Sequence, residues 1–172
     1  PVSVGGIAPV VTDSALREAQ LVPVVMAGPD PLDYSTQLDD GARAVTVYRF
    51  SETQGARIGR EDRAWCADRG RCPVVTRAAY ASRHHCEITF DCGRWTIADV
   101  GTDGQGSRYG TLVTPADLEA LPVLLQGDSC ELHHGDLICI FPRRVLSGDY
   151  CAANFSWASR MRDENYRFEV LG

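Results

Sequence analysis

The sequence contains no lysine; all 17 of its basic residues are arginine, set against 23 acids for a formal net charge of −6. That balance argues against duplex nucleic acid as a main ligand, because such binding rests on a basic surface that neutralises phosphates. Long apolar runs are missing too, and a bilayer span needs about 20 residues, so no membrane partner is expected. The apolar stretch at 21–26 lacks the basic start and continuous apolar centre of a secretory signal. There is no initiating methionine, and the chain is expected to be a piece of a longer protein. No CxxC pair occurs among the seven cysteines at 66, 72, 86, 92, 130, 139 and 151. An odd, scattered set fits neither a disulfide framework nor a structural zinc site, and the separation of Cys66 from Cys72 is weak support for a metal site shared with histidines. Reduced, mostly buried thiols acting as small hydrophobes are expected, most clearly at Cys86 and Cys139, and the implied location is intracellular, nuclear or cytoplasmic. Neither a GxSxG elbow nor a metal-ligand motif is present, so no catalytic residues, metal or cofactor are expected.

What is present is unevenly distributed. Residues 1–41 hold six acids and one arginine, whereas 57–83 hold seven arginines against Glu61, Asp62 and Asp68. The arginine fork grips phosphate through two parallel hydrogen bonds; a biased coding composition explains the absence of lysine equally well. With 172 residues and 44% hydrophobic content, the chain suits one core with an appendage. It divides into an acidic N-terminal extension, 1–43, and a domain, 44–172. Within the extension, Thr12-Asp13-Ser14 offers a cap for a short helix over 14–21, and Gly28-Pro29-Asp30-Pro31 then breaks regular structure.

From residue 44 the texture is that of strands. Residues 44–50 are rich in β-branched and aromatic residues, and 86–91 alternate apolar with polar before a turn at Asp91-Cys92-Gly93 leads into 94–98, which is a hairpin pattern. Residues 137–141 are continuously apolar, as expected of a strand buried on both faces, and Tyr166, Phe168 and Val170 alternate with Arg167 and Glu169. Helical periodicity after 44 is limited to 115–120, behind a possible cap at Thr114. Many short strands without intervening helices predict an all-β two-sheet sandwich, with binding groups on loops at one end.

Three motifs punctuate these strands in a fixed order: Gly59-Arg60, then Ser82-Arg83-His84-His85, then Ser107-Arg108-Tyr109-Gly110-Thr111. Together they resemble the forkhead-associated (FHA) domain family, whose pattern is GR, SxxH and SxNGT, over about residues 44–171. The resemblance implies a sandwich of the FHA/SMAD type with about 11 strands and a phosphothreonine-containing protein or peptide as partner. It implies phosphate contacts from Ser82 and Arg83, and from Arg60 either a phosphate contact or a brace for the loop beside it. Gly59, His85, Gly110 and Thr111 take structural places, with His85 tying neighbouring loops together. The family's asparagine is replaced by Tyr109. A phenol offers one donor-acceptor group at the end of a rigid ring, where an amide offers both functions near the backbone, so peptide gripping is expected to differ, with Arg108 placed to reach the phosphate. The loop 99–106 is expected to be longer than usual.

Function follows as a phosphothreonine-dependent peptide-binding module of a larger signalling or assembly protein. The alternative is an FHA-like scaffold that has lost phosphate recognition and serves docking or dimerisation. A third reading is a hydrolase pairing Ser82 with His84 or His85; nucleophilic catalysis requires the base within hydrogen-bond reach of the hydroxyl and an oriented third group. Finally, Thr36, followed by an acid at Asp39, is a candidate phosphorylation site for self-association through the extension, against the plainer reading of an acidic solvated linker.

Overall fold

The computed structural model describes residues 15–26, 34–35, 46–78, 81–117, 119–140 and 165–172. Thr36 and Cys151 lie outside them. The strands are β1 (Glu18–Pro23), β2 (Val25–Met26), β3 (Tyr34–Ser35), β4 (Tyr48–Ser51), β5 (Ala56–Arg60), β6 (Cys72–Thr76), β7 (Cys86–Asp91), β8 (Arg94–Asp99), β9 (Thr111–Thr114), β10 (Val123–Leu125), β11 (Ser129–Leu132), β12 (Leu137–Cys139) and β13 (Asn165–Leu171). One sheet has six strands in the order β10-β9-β12-β13-β1-β4, the other five in the order β11-β8-β7-β5-β6, and β2 pairs with β3 separately. This is the expected all-β sandwich, and its two main sheets together hold the expected number of strands.

The core lies between the sheets. Ala19, Leu21, Phe50, Val113, Ile138, Tyr166 and Phe168 from one sheet face Ile58, Val74, Ile88, Trp95 and Ile97 from the other. Trp95 sits at its centre, with Phe90, Phe50 and Phe168 edge-on at ring separations of 5.0, 5.6 and 5.8 Å. Such pairs add about 0.5–1.5 kcal/mol each beyond area burial. Strand β12 is buried on both faces, which is why its sequence shows no alternation.

The helix expected over 14–21 is not formed: Glu18–Pro23 is a strand, paired antiparallel with β13 (Leu21 opposite Phe168) and with β4 (Ala19 opposite Phe50). Ala19 and Leu21 alternate into the core while Gln20 points away, so burial at period two overrides the local capping signal. The six-stranded sheet therefore takes one of its inner strands from the stretch read as an extension.

Residues 115–120 are likewise not helical where described. They make a turn in which the Ala120 amide donates to the Asp117 carbonyl at 3.1 Å. A short helix, α1 (Arg63–Ala67), occurs instead between β5 and β6. These two strands run parallel, Ala56 opposite Cys72, and parallel neighbours need a crossover rather than a hairpin. Asp62 caps the helix, its carboxylate accepting from the Trp65 amide at 3.0 Å. Five residues are too few for a helical period to register in the sequence.

Candidate functional site

The end of β5, the loop before β7 and the loop between β8 and β9 meet at one end of the sandwich. Gly59 permits the first approach. A Cβ added there would stand 2.0 Å from the Arg83 carbonyl oxygen, so only glycine lets β5 lie against the loop 81–85. The Arg60 amide donates to the Ser82 carbonyl at 3.0 Å, and the His85 amide donates to the Ile58 carbonyl at 3.1 Å. These two bonds extend the sheet into the loop and place Arg60 beside Ser82.

His85 is fully buried and joins three segments. Its Nδ1 accepts from the Ser82 amide at 3.1 Å, and its Nε2 lies 3.1 Å from the Gly110 carbonyl. An amide can only donate, so Nδ1 carries no proton and Nε2–H donates to Gly110; the ring is neutral. Burial lowers its pKa to about 4, opposed by the Asp99 charge and the bond to Gly110. Its own carbonyl accepts from Val100. Because Nδ1 meets the Ser82 amide and not the hydroxyl, this ring does not pair with Ser82 as a hydrolase base would. His84 turns elsewhere, stacked on Trp65 at 4.4 Å and 3.0 Å from Asp62.

The third motif is shaped by Asp99, a residue the sequence reading passed over. Its buried carboxylate accepts from the Ser107 amide and hydroxyl at 2.5 and 2.6 Å, the Thr111 hydroxyl at 2.7 Å and the Gly127 amide at 3.2 Å. Ser107 Oγ in turn accepts from the Gly110 amide at 3.0 Å. Gly110 has φ +83°, and a Cβ there would meet the Leu125 carbonyl at 2.8 Å. The Arg108 amide, presented by this turn, donates to Ser82 Oγ at 3.1 Å.

These contacts leave a depression of about 510 Å³ lined by Arg60, Ala81, Ser82, Arg83, Thr102, Arg108 and Tyr109. Arg60, Ser82, Arg83, Arg108 and Tyr109, chosen from the sequence, thus share one surface, while Gly59, His85, Gly110 and Thr111 lie around or beneath it. Thr102 and Ala81 were not singled out; Thr102 lies on the Gly-rich loop, whose path the sequence does not fix. Arg60 Nε donates to the Ala81 carbonyl at 2.9 Å, which orients its guanidinium. Arg108 lies over the Tyr109 ring at 5.4 Å. Cys66, Cys72, Cys86 and Cys139 are buried as thiols, and Cys92 is exposed. Among the described residues no three potential ligands converge to hold a metal ion, and no helix is long and apolar enough to cross a membrane.

The FHA domain profile matches residues 56–141, which contain every contact just described. The chain belongs to the FHA domain family. FHA domains are interaction modules, known for phosphothreonine-dependent binding. Solved structures similar to this FHA domain include that of the CT664 protein from Chlamydia trachomatis, at 12% identity over 91% of this chain and 99% of that one, TM-score 0.45. A second comes from a structural and functional analysis of phosphothreonine-dependent FHA domain interactions, at 16% identity over 91% and 98%, TM-score 0.42. A third is the yeast Pml1 splicing factor, at 15% identity over 90% and 80%, TM-score 0.45. Comparison with curated protein sequences finds no match.

Proposed function

We propose that this FHA domain binds phosphothreonine peptides through the depression around Ser82, as a module of a larger signalling or assembly protein in the nucleus or cytoplasm. The observation that carries this reading is the convergence of Arg60, Arg83 and Arg108 on Ser82 in a depression whose lining contains no carboxylate. A phosphate brings close to two negative charges and three strong acceptor oxygens. Ser82 Oγ accepts from the Arg108 amide and keeps its own proton to donate. Arg60 keeps its terminal nitrogens, its Nε being the atom bound to Ala81. Charge-assisted bonds contribute about 1.5–3 kcal/mol each, so two or three supply a large part of the roughly 8 kcal/mol of a micromolar complex.

Titration of a degenerate phosphothreonine peptide library and its unphosphorylated counterpart tests the reading. Phosphopeptides bind in the micromolar range, and Arg60→Ala and Ser82→Ala each weaken them about tenfold or more, the loss of one charge-assisted bond. Equal binding of both libraries establishes instead the docking or dimerisation scaffold that Tyr109, standing in place of an amide, would suit. Within this chain, phosphorylated Thr36 is the ligand another copy would take, a proposal resting on sequence alone. Oligomeric mass before and after phosphorylation, with Thr36→Ala as control, checks it.

A further inference from the structure

We infer that the site is built for a peptide carrying a second phosphate beside the phosphothreonine, an inference that rests on the phosphothreonine reading above. Three arginines are held beside one serine through the backbone, the Arg60 amide bonding to the Ser82 carbonyl, the Arg108 amide to the Ser82 hydroxyl and Arg83 following in the chain, and all three line the depression. One phosphate is satisfied by Arg60, the Ser82 hydroxyl and one further donor, and this leaves cationic charge on the same surface. The depression, at about 510 Å³, falls within the ~300–1,000 Å³ of sites that enclose drug-sized ligands, so it has room for more than one phosphate group.

Nearby acids do not cancel this charge from within the lining. Asp99 is buried and accepts from Ser107, Thr111 and Gly127. Asp62 accepts from the Trp65 amide, pairs with His84, and feels the charge of Arg83 from outside the depression. Asp103 accepts from the Gln105 amide in the exposed loop, and Glu61, exposed beside Arg60, is absent from the lining. Tyr109 adds to the case. Its ring lies 5.4 Å from the Arg108 guanidinium, a cation–π distance, and a guanidinium steadied in this way presents its planar fork to a bidentate anion. The position that would hold a peptide amide in other members here props a cation, so charge takes over part of the grip.

The test uses the whole chain and four peptides of one sequence: one with phosphothreonine alone, two with phosphoserine next to it on either side, and one with the phosphoserine eight residues away. At low ionic strength one of the neighbouring double phosphopeptides binds at least tenfold tighter than the single phosphopeptide, and the remote one gains less than twofold. Arg108→Gln weakens every peptide and brings the neighbouring-to-single ratio below twofold, a collapse that a merely weakened loop would not produce. Equal affinities for the four peptides, or an equal gain from the remote phosphate, overturn the inference while leaving phosphothreonine binding intact. Failure of all four peptides to bind overturns both readings together.

Discussion

At the scale of the residue, Gly59 and His85 carry different kinds of constraint. Gly59 is required by distance alone. Its missing Cβ is what lets β5 touch the loop 81–85, and the obstacle is backbone, which cannot swing aside. Gly59→Ala is expected to destabilise the domain by about 1–3 kcal/mol, the usual cost of overpacking, and to weaken phosphopeptide binding by displacing Arg60 from Ser82. Chemical denaturation and peptide titration of the same variant read both effects. His85 is constrained by protonation state. A charged imidazole has no acceptor for the Ser82 amide, and burial holds the folded-state pKa near 4 against an ordinary 6.5. Between those values the unfolded chain binds more protons than the folded one, so stability rises with pH across the interval. The contribution is complete above about pH 6.5 and is lost as pH falls towards 4, by a few kcal/mol. Thermal unfolding against pH should follow this slope, and His85→Ala, less stable at neutral pH, should lose less between pH 6.5 and 4. Both residues were visible in the sequence because motifs with fixed internal spacing mark them, whereas Asp62 and Trp65, which stabilise α1 beside the site, sit in a segment with no such mark.

At the scale of the element, the loop joining β8 to β9 is set by one carboxylate. Asp99 ends β8 and collects donors from Ser107, Thr111 and Gly127, positions 8, 12 and 28 residues away. In sequence it is an acid at the edge of a Gly-rich stretch, and its role exists only once three separate segments meet, so no local pattern announces it. The strands β7 and β8 are legible for the opposite reason: alternation is local, and each turns one face into the core. Asp99→Asn keeps the shape but replaces one accepting oxygen with an NH₂ group facing donors. Hydrogen bonds to charged groups contribute about 1.5–3 kcal/mol each and a buried polar atom left unpaired costs about 1–3, so a loss of about 3 kcal/mol is expected. Because Arg108 rides on the turn that Asp99 organises, the same substitution should speed amide hydrogen exchange most at Arg108, Gly110 and Thr111 and least in β1 and β13.

At the scale of the molecule, strand β1 decides where the folding unit begins. A reading by composition separates an acidic first segment from a β-rich remainder, since charge and strand texture both change near residue 44. Pairing between distant strands leaves no trace in such a comparison. In the structure β1 lies between β13 and β4, matching Glu18 through Pro23 with Leu171 through Tyr166 on one side and Glu18 through Leu21 with Ser51 through Tyr48 on the other. Without it β4 loses the neighbour it pairs with among the described strands, β13 gains an open edge, and the core loses Ala19 and Leu21, both fully buried. Full burial of a leucine side chain alone contributes about 1.5–3 kcal/mol, which is a large share of the ~5–15 kcal/mol that separates folded from unfolded domains. A chain beginning at residue 44 is therefore expected to lack a cooperative thermal transition, while one beginning at residue 15 melts cooperatively and keeps its phosphopeptide affinity. If the chain from 44 onward melts as sharply as the full sequence, β1 is an accessory to the sandwich and not part of its core. Addition in trans of a synthetic peptide spanning 15–26 sharpens the comparison: restored melting would locate the loss in the missing strand pairing and not in the acidic charge removed with it.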